Sequence, residues 1–108
     1  VHEPWVTVAE SAELCLALMG MGDRKRAEKM LSWQHQHADD DGAYWMGIQT
    51  EVGKPWPAEK PAWTAGAVIL AADAVTQSTA ACNALIDHTL PDIDGLDAAQ
   101  DRQRLNKR

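Results

Sequence analysis

Apolar positions recur at helical spacing along four stretches of the chain, separated by intervals that are polar or rich in Gly and Pro. The first helix is predicted from about Val8 to Met19. Val8, Ala12, Cys15, Leu16 and Met19 form one stripe, and Leu14 and Leu18 form a second. A helix with two apolar sides is packed on more than one side. Thr7 followed by Glu10 has the spacing of a capping box, in which the hydroxyl and the carboxylate each take an orphan backbone N–H. Gly20-Met21-Gly22-Asp23 ends this helix and starts the next, with Asp23 as N-cap. The second helix is predicted from about Arg24 to His37, with Ala27, Met30, Leu31 and Gln34 inward and Arg24, Lys25, Glu28 and Lys29 outward. The short joint implies an antiparallel hairpin.

Residues 38–60 break the periodicity. Ala38-Asp39-Asp40-Asp41-Gly42 reads as a polar turn, and Tyr44-Trp45-Met46 and Ile48 are apolar over too short a run to define a strand. Lys54-Pro55-Trp56-Pro57 is extended, because a residue before Pro is excluded from the helical region. A connection of this length in a compact domain is often functional. Pro61 suits a helix start. From Ala62 to Val75 only Thr64 and Asp73 are polar, and the many Ala and Gly residues let neighbouring backbones approach closely, so this third helix is expected to be the most buried element. A fourth is predicted from about Thr79 to Thr89, with Ala81, Cys82, Leu85 and Ile86 inward. Segments 7–30 and 64–87 align at an offset of 57, as a degenerate repeat of buried helix, short joint and less buried helix. The domain is therefore expected to be all-α over 1–90. Residues 91–108, with four acids, four bases and no aromatic residue, are expected to form a polar, flexible or weakly helical tail.

Composition narrows the function. The 108 residues suit one domain. A net charge of −6 argues against a nucleic-acid footprint. No apolar run reaches the roughly 18 residues of a membrane span. Cys15 and Cys82 lie in apolar helical stretches, as buried free thiols of a reducing compartment, so the expected location is cytoplasmic. No motif for a metal or other cofactor is present. His35 and His37, two apart on a helix, diverge and make a poor metal pair. The three aspartates read as a solvated turn. Asp73, in an apolar helix, requires a partner or a path to water.

Five Trp, one Tyr and no Phe make an unusual aromatic set. Tyr44, Trp45, Trp56 and Trp63, with Thr64, lie in or beside the long loop and are the candidate binding residues. Indole faces stack on sugars or cover prenyl chains, and the bland alternative is packing of the loop onto the helix ends. Glu51 and Glu59 flank Pro55-Trp56-Pro57 and are the candidate general acid and base.

The segment from Ala27 through Trp33-Gln34 to Asp41-Gly42-Ala43-Tyr44-Trp45, and the run from Trp63 to Ala71, resemble repeats of the α/α-toroid proteins, the squalene-cyclase and protein-prenyltransferase superfamily, over roughly residues 5–90. The resemblance implies two toroid-like hairpins in a prenyltransferase- or terpene-cyclase-like protein or fragment, with an apolar, Trp-lined site near residues 43–63. It also implies exposed flanks on the first and third helices, to be covered by another copy or by the remainder of a larger toroid. Two other functions compete: a non-catalytic self-association module, and a fragment of a carbohydrate-active α/α barrel using Glu51 or Glu59.

Overall fold

The computed structural model describes residues 4–87. In chain order these form β1 (Trp5–Thr7), α1 (Val8–Gly20), α2 (Arg24–Gln34), a 3-10 turn (His35–His37), β2 (Gly47–Gln49), β3 (Lys54–Pro55) and α3 (Ala62–Thr76). The strands make one antiparallel sheet in the order β1-β2-β3, with Trp5 opposite Gln49, Val6 opposite Ile48, and Gln49 opposite Lys54. The all-α expectation is thus overturned. Each strand is only two or three residues long, too short for alternation to show, and β1 runs directly into α1.

The three helices form the core around α1, which packs on both α2 and α3. Val8, Ala12 and Cys15 of α1, Ala27 and Leu31 of α2, and Val68, Ala71 and Val75 of α3 make one buried cluster. Their spacing of three and four residues follows from the helical repeat. Ala12, Ala27 and Ala71 are fully buried, so the helices meet through methyl groups. Gln34 joins the inward face of α2, as its stripe predicts.

Several local expectations need correction. Thr7 does precede α1, but its side chain caps nothing; instead the Ser11 hydroxyl donates to the Thr7 carbonyl at 2.6 Å. The first amide of α1 is taken by the loop, with Val8 N–H donating to Met46 C=O at 3.0 Å. Asp23 caps α2 as predicted, accepting from Arg26 N–H. The second helix stops three residues early, because His35–His37 tighten into a 3-10 turn. The third helix is not uniformly buried: Trp63, Ile69 and Leu70 are 61%, 66% and 51% exposed.

The fourth predicted helix is absent from its described part. Residues 79–87 form successive turns, in which Cys82, Ala84 and Ile86 each donate to the carbonyl three residues back. Asp73 helps reverse the chain: its carboxylate accepts from both the amide and the hydroxyl of Thr79, at 2.9 and 2.7 Å, after Gln77 has adopted a left-handed conformation. Asp73 therefore has a partner in its own chain. The second half of the proposed repeat fails with that helix. Residues 88–108, including the expected tail, lie outside the described residues.

Candidate functional site

The sheet carries an open cleft. Cross-strand partners present their side chains to the same face, so Trp5, Gln49 and Lys54 stand side by side. Between β2 and β3 the turn 50–53 closes with Gly53 at a positive φ and Gly53 N–H donating to Gln49 C=O. This turn brings Val52 alongside. Pro55 and Trp56 complete the wall, and the enclosed volume is about 330 Å³. That is at the small end of ligand sites, about 300–1,000 Å³, and suits a short piece of a larger ligand.

The two indoles form the centre. Trp5 and Trp56 meet edge to face, with centroids 5.7 Å apart and planes at 85°. Trp5 Nε1–H donates to the Trp56 carbonyl, and Trp56 N–H donates to Gly47 C=O at 2.9 Å. The Trp5 ring lies directly over Gly47, where a Cβ would sit 2.6 and 2.8 Å from two of its carbons. Only glycine fits there. Trp56 is 62% exposed, and Trp56–Pro57 is a cis peptide. Trp56 packs against Trp5, more than fifty residues earlier in the chain. Pairing β1 with β2 is what joins them, and the isolated Trp5-Val6-Thr7 carries no periodic signal of a strand.

The other predicted residues are distributed differently, and none of them lines this cleft. Tyr44 packs on the core, and its hydroxyl is hydrogen-bonded to His35 Nδ1 at 2.6 Å. Burial pushes the Tyr44 phenol up and the His37 imidazole down, so both are neutral near pH 7. Trp45 lies under the Lys60 ammonium, 5.0 Å from the ring centroid. The same ammonium bridges Asp39 and Asp41, at 2.8 and 2.7 Å. Lys60 holds both carboxyls below their usual range, and they hold its own pKa up. The aspartate turn is thus a lysine-centred clasp. Among the described residues no three His, Cys, Asp or Glu side chains come together to hold a metal.

Trp63 is exposed at the start of α3, whereas Thr64 is fully buried with its hydroxyl unpaired. Glu51 occupies the exposed tip of the β2–β3 turn. Glu59 is exposed beyond Trp56, and its backbone carbonyl accepts from Met46 N–H at 2.8 Å. Cys15 is a buried free thiol and Cys82 a half-buried one that donates to Gln77 Oε1. Burial pushes the Cys15 thiol up. Among the described residues no helix is long and apolar enough to cross a membrane.

An aromatic cleft of this kind suits a sugar as readily as an isoprenoid. The chain is similar to a mannosidase. Over 76 residues it is 47% identical to the MMP endo-(1,4)-3-O-methyl-alpha-D-mannosidase of Mycolicibacterium hassiacum, a match covering 70% of this chain and 21% of that enzyme. The chain thus spans about a fifth of the length of the curated relative it matches. No protein-family model matches it. The relative is a glycoside hydrolase, and this overturns the squalene-cyclase and prenyltransferase resemblance together with the isoprenoid chemistry attached to it. Helices of alternating burial, punctuated by Gly and Trp, are a pattern that unrelated helical proteins share, so they carried little specificity.

Proposed function

We propose that the chain is the substrate-binding part of a glycoside hydrolase that cuts within α-linked mannoside chains, and that the Trp5–Trp56 cleft holds one sugar of the substrate. The observation that carries this is the 47% identity to an endo-acting mannosidase. The cleft supports the reading as a place with room for one sugar. A pyranose presents a patch of C–H groups on its face and hydroxyls at its rim. Exposed Trp56 offers a flat apolar surface to the former, and Gln49 and Lys54 offer hydrogen bonds to the latter. An open cleft on a sheet edge lets a polymer run past, as internal cleavage requires.

Bond cleavage needs two carboxyl groups on opposite sides of the glycosidic bond. Glu51 and Glu59 are exposed and stand outside the cleft wall. We propose that neither belongs to a catalytic pair. The test is incubation of the full protein with (1,4)-linked 3-O-methyl-α-D-mannose oligosaccharides, with products sized over time. Fragments of intermediate length, released equally by wild type, Glu51→Gln and Glu59→Gln, are expected. Loss of cleavage in either variant, with unchanged unfolding, returns that residue to catalysis. Absence of any cleavage by wild type removes the hydrolase reading.

A further inference from the structure

We infer that the groove between α1 and α2 docks a second copy of this chain, turned end for end about a two-fold axis. Leu14 and Leu18 of α1 and Arg26, Lys29, Met30 and Trp33 of α2 line the groove, which encloses about 400 Å³. The four α2 residues are spaced by three, four and seven from Arg26, so they share one helix face. On α1, Glu10, Leu14 and Ala17 share another, and all three are exposed. The middle of the groove is apolar and open, with Leu14 and Trp33 45% and 47% exposed. A contiguous apolar strip on the surface favours association, because covering it removes it from water.

Charge at the two ends of the groove selects the occupant. Arg26 and Lys29 lie in the first two turns of α2, beside the joint with α1. Glu10 and Glu13 lie in the first two turns of α1, at the end away from that joint. The groove is therefore basic at one end, acidic at the other and apolar between. Among the described residues, Glu10, Glu13 and Lys29 enter no ion pair. The Lys29 ammonium lies over the Trp33 ring, 5.2 Å from its centroid, and Arg26 reaches only its neighbour Asp23. A second copy reversed along the groove lays its acidic end on this basic end and its basic end on this acidic end. Leu14, Leu18, Met30 and Trp33 of the two copies then cover one another. The two-fold makes every contact twice, as a self-complementary patch requires. A copy docked in the same direction sets like charges together, which is costly.

Sedimentation velocity over a range of concentrations tests this on the full chain. Wild type is expected to show a monomer–dimer equilibrium that weakens as salt is added. Leu14→Asp is expected to raise the dissociation constant by about ten-fold or more. Two charge variants test the direction of docking. Glu10→Lys with Glu13→Lys makes both ends basic, and Arg26→Glu with Lys29→Glu makes both ends acidic. Each is expected to be monomeric alone, and an equal mixture of the two is expected to form a heterodimer. Recovery on mixing also shows that both variants are folded. Ile69→Asp, on the exposed side of α3, is expected to leave the dimer unchanged. A wild-type chain that stays monomeric to roughly 1 mM, the weak end of specific association, overturns the proposal. So does a dimer that withstands Leu14→Asp or is broken by Ile69→Asp, because it lies on another face. A mixture that stays monomeric, or charge variants that dimerise alone as wild type does, overturns the end-for-end pairing.

Discussion

Gly47 and Lys60 each hold one aromatic residue in place by contact. At Gly47 the Trp5 indole occupies the space a Cβ would need. Gly47→Ala is expected to displace Trp5 and cost about 1–3 kcal/mol, the range for overpacking. Urea unfolding followed by indole fluorescence reads both effects, since Trp5 reports its own displacement. Lys60 makes the opposite case, an exposed clasp whose effect depends on pH. Its partners Asp39 and Asp41 have depressed folded-state values, so their contribution is present above the ordinary carboxylate value of 3.8 and is lost as pH falls through the lower folded values. Thermal unfolding from pH 6 to 2 should therefore show a steeper acid loss in wild type than in Lys60→Met. Equal slopes would mean that the clasp contributes nothing measurable, as many exposed pairs do. The aromatic candidates, of which Trp56 alone lines the cleft, were visible in sequence, because Trp is rare and amphipathic. Their grouping was not: Tyr44 and Trp45 turn back onto the end of α2, and Trp56 pairs with Trp5 across the sheet.

The helices were legible at the level of the element because burial sets their spacing. The inward faces of α1 and α2 follow the apolar stripes closely, whereas α3, apolar all round in sequence, buries one side and exposes Trp63, Ile69 and Leu70. Asp23 was readable as a cap because its carboxylate meets Arg26 N–H within one turn. Asp23→Ala is expected to lower stability by about 1 kcal/mol, seen as a lower urea midpoint without a change in slope. What failed depended on contacts distant in sequence. The sheet has strands of two and three residues, and its stability comes from pairing and from the aromatic cover, not from propensity. The segment after α3 was read as helix from its Ala, Leu and Ile content. The Thr79 bonds to Asp73 and the left-handed Gln77 divert it into turns. Asp73→Ala is expected to release that turn, raising amide exchange at Thr79 while leaving the α1–α2 amides unchanged.

Across the molecule, the core is small and packed through alanine. Ala71→Leu is expected to force α1 and α3 apart and to cost about 1–3 kcal/mol, measured by denaturant unfolding. A neutral result would mean that the interface has room its full burial does not suggest. The sequence-based expectation of exposed helix flanks agrees with Leu14, Trp63, Ile69 and Leu70 at the surface. The chain also matches only 21% of its mannosidase relative. The sugar-binding role proposed for the chain was harder to read than its helices, because a sugar platform and a hydrophobic packing residue use the same side chain. The difference lies in exposure, which only the fold reveals.

The most direct measurement is calorimetric binding of a (1,4)-linked 3-O-methyl-α-D-mannose oligosaccharide to the full protein, comparing wild type with Trp56→Ala and Trp33→Ala. Trp33 is also exposed, on α2 beneath the Lys29 ammonium, and stands outside the cleft. Trp56→Ala should weaken binding by about ten-fold or more, the loss of a stacked aromatic contact worth about 1.4 kcal/mol, while Trp33→Ala leaves it unchanged. Unaltered affinity in Trp56→Ala would show that the cleft does not hold the sugar.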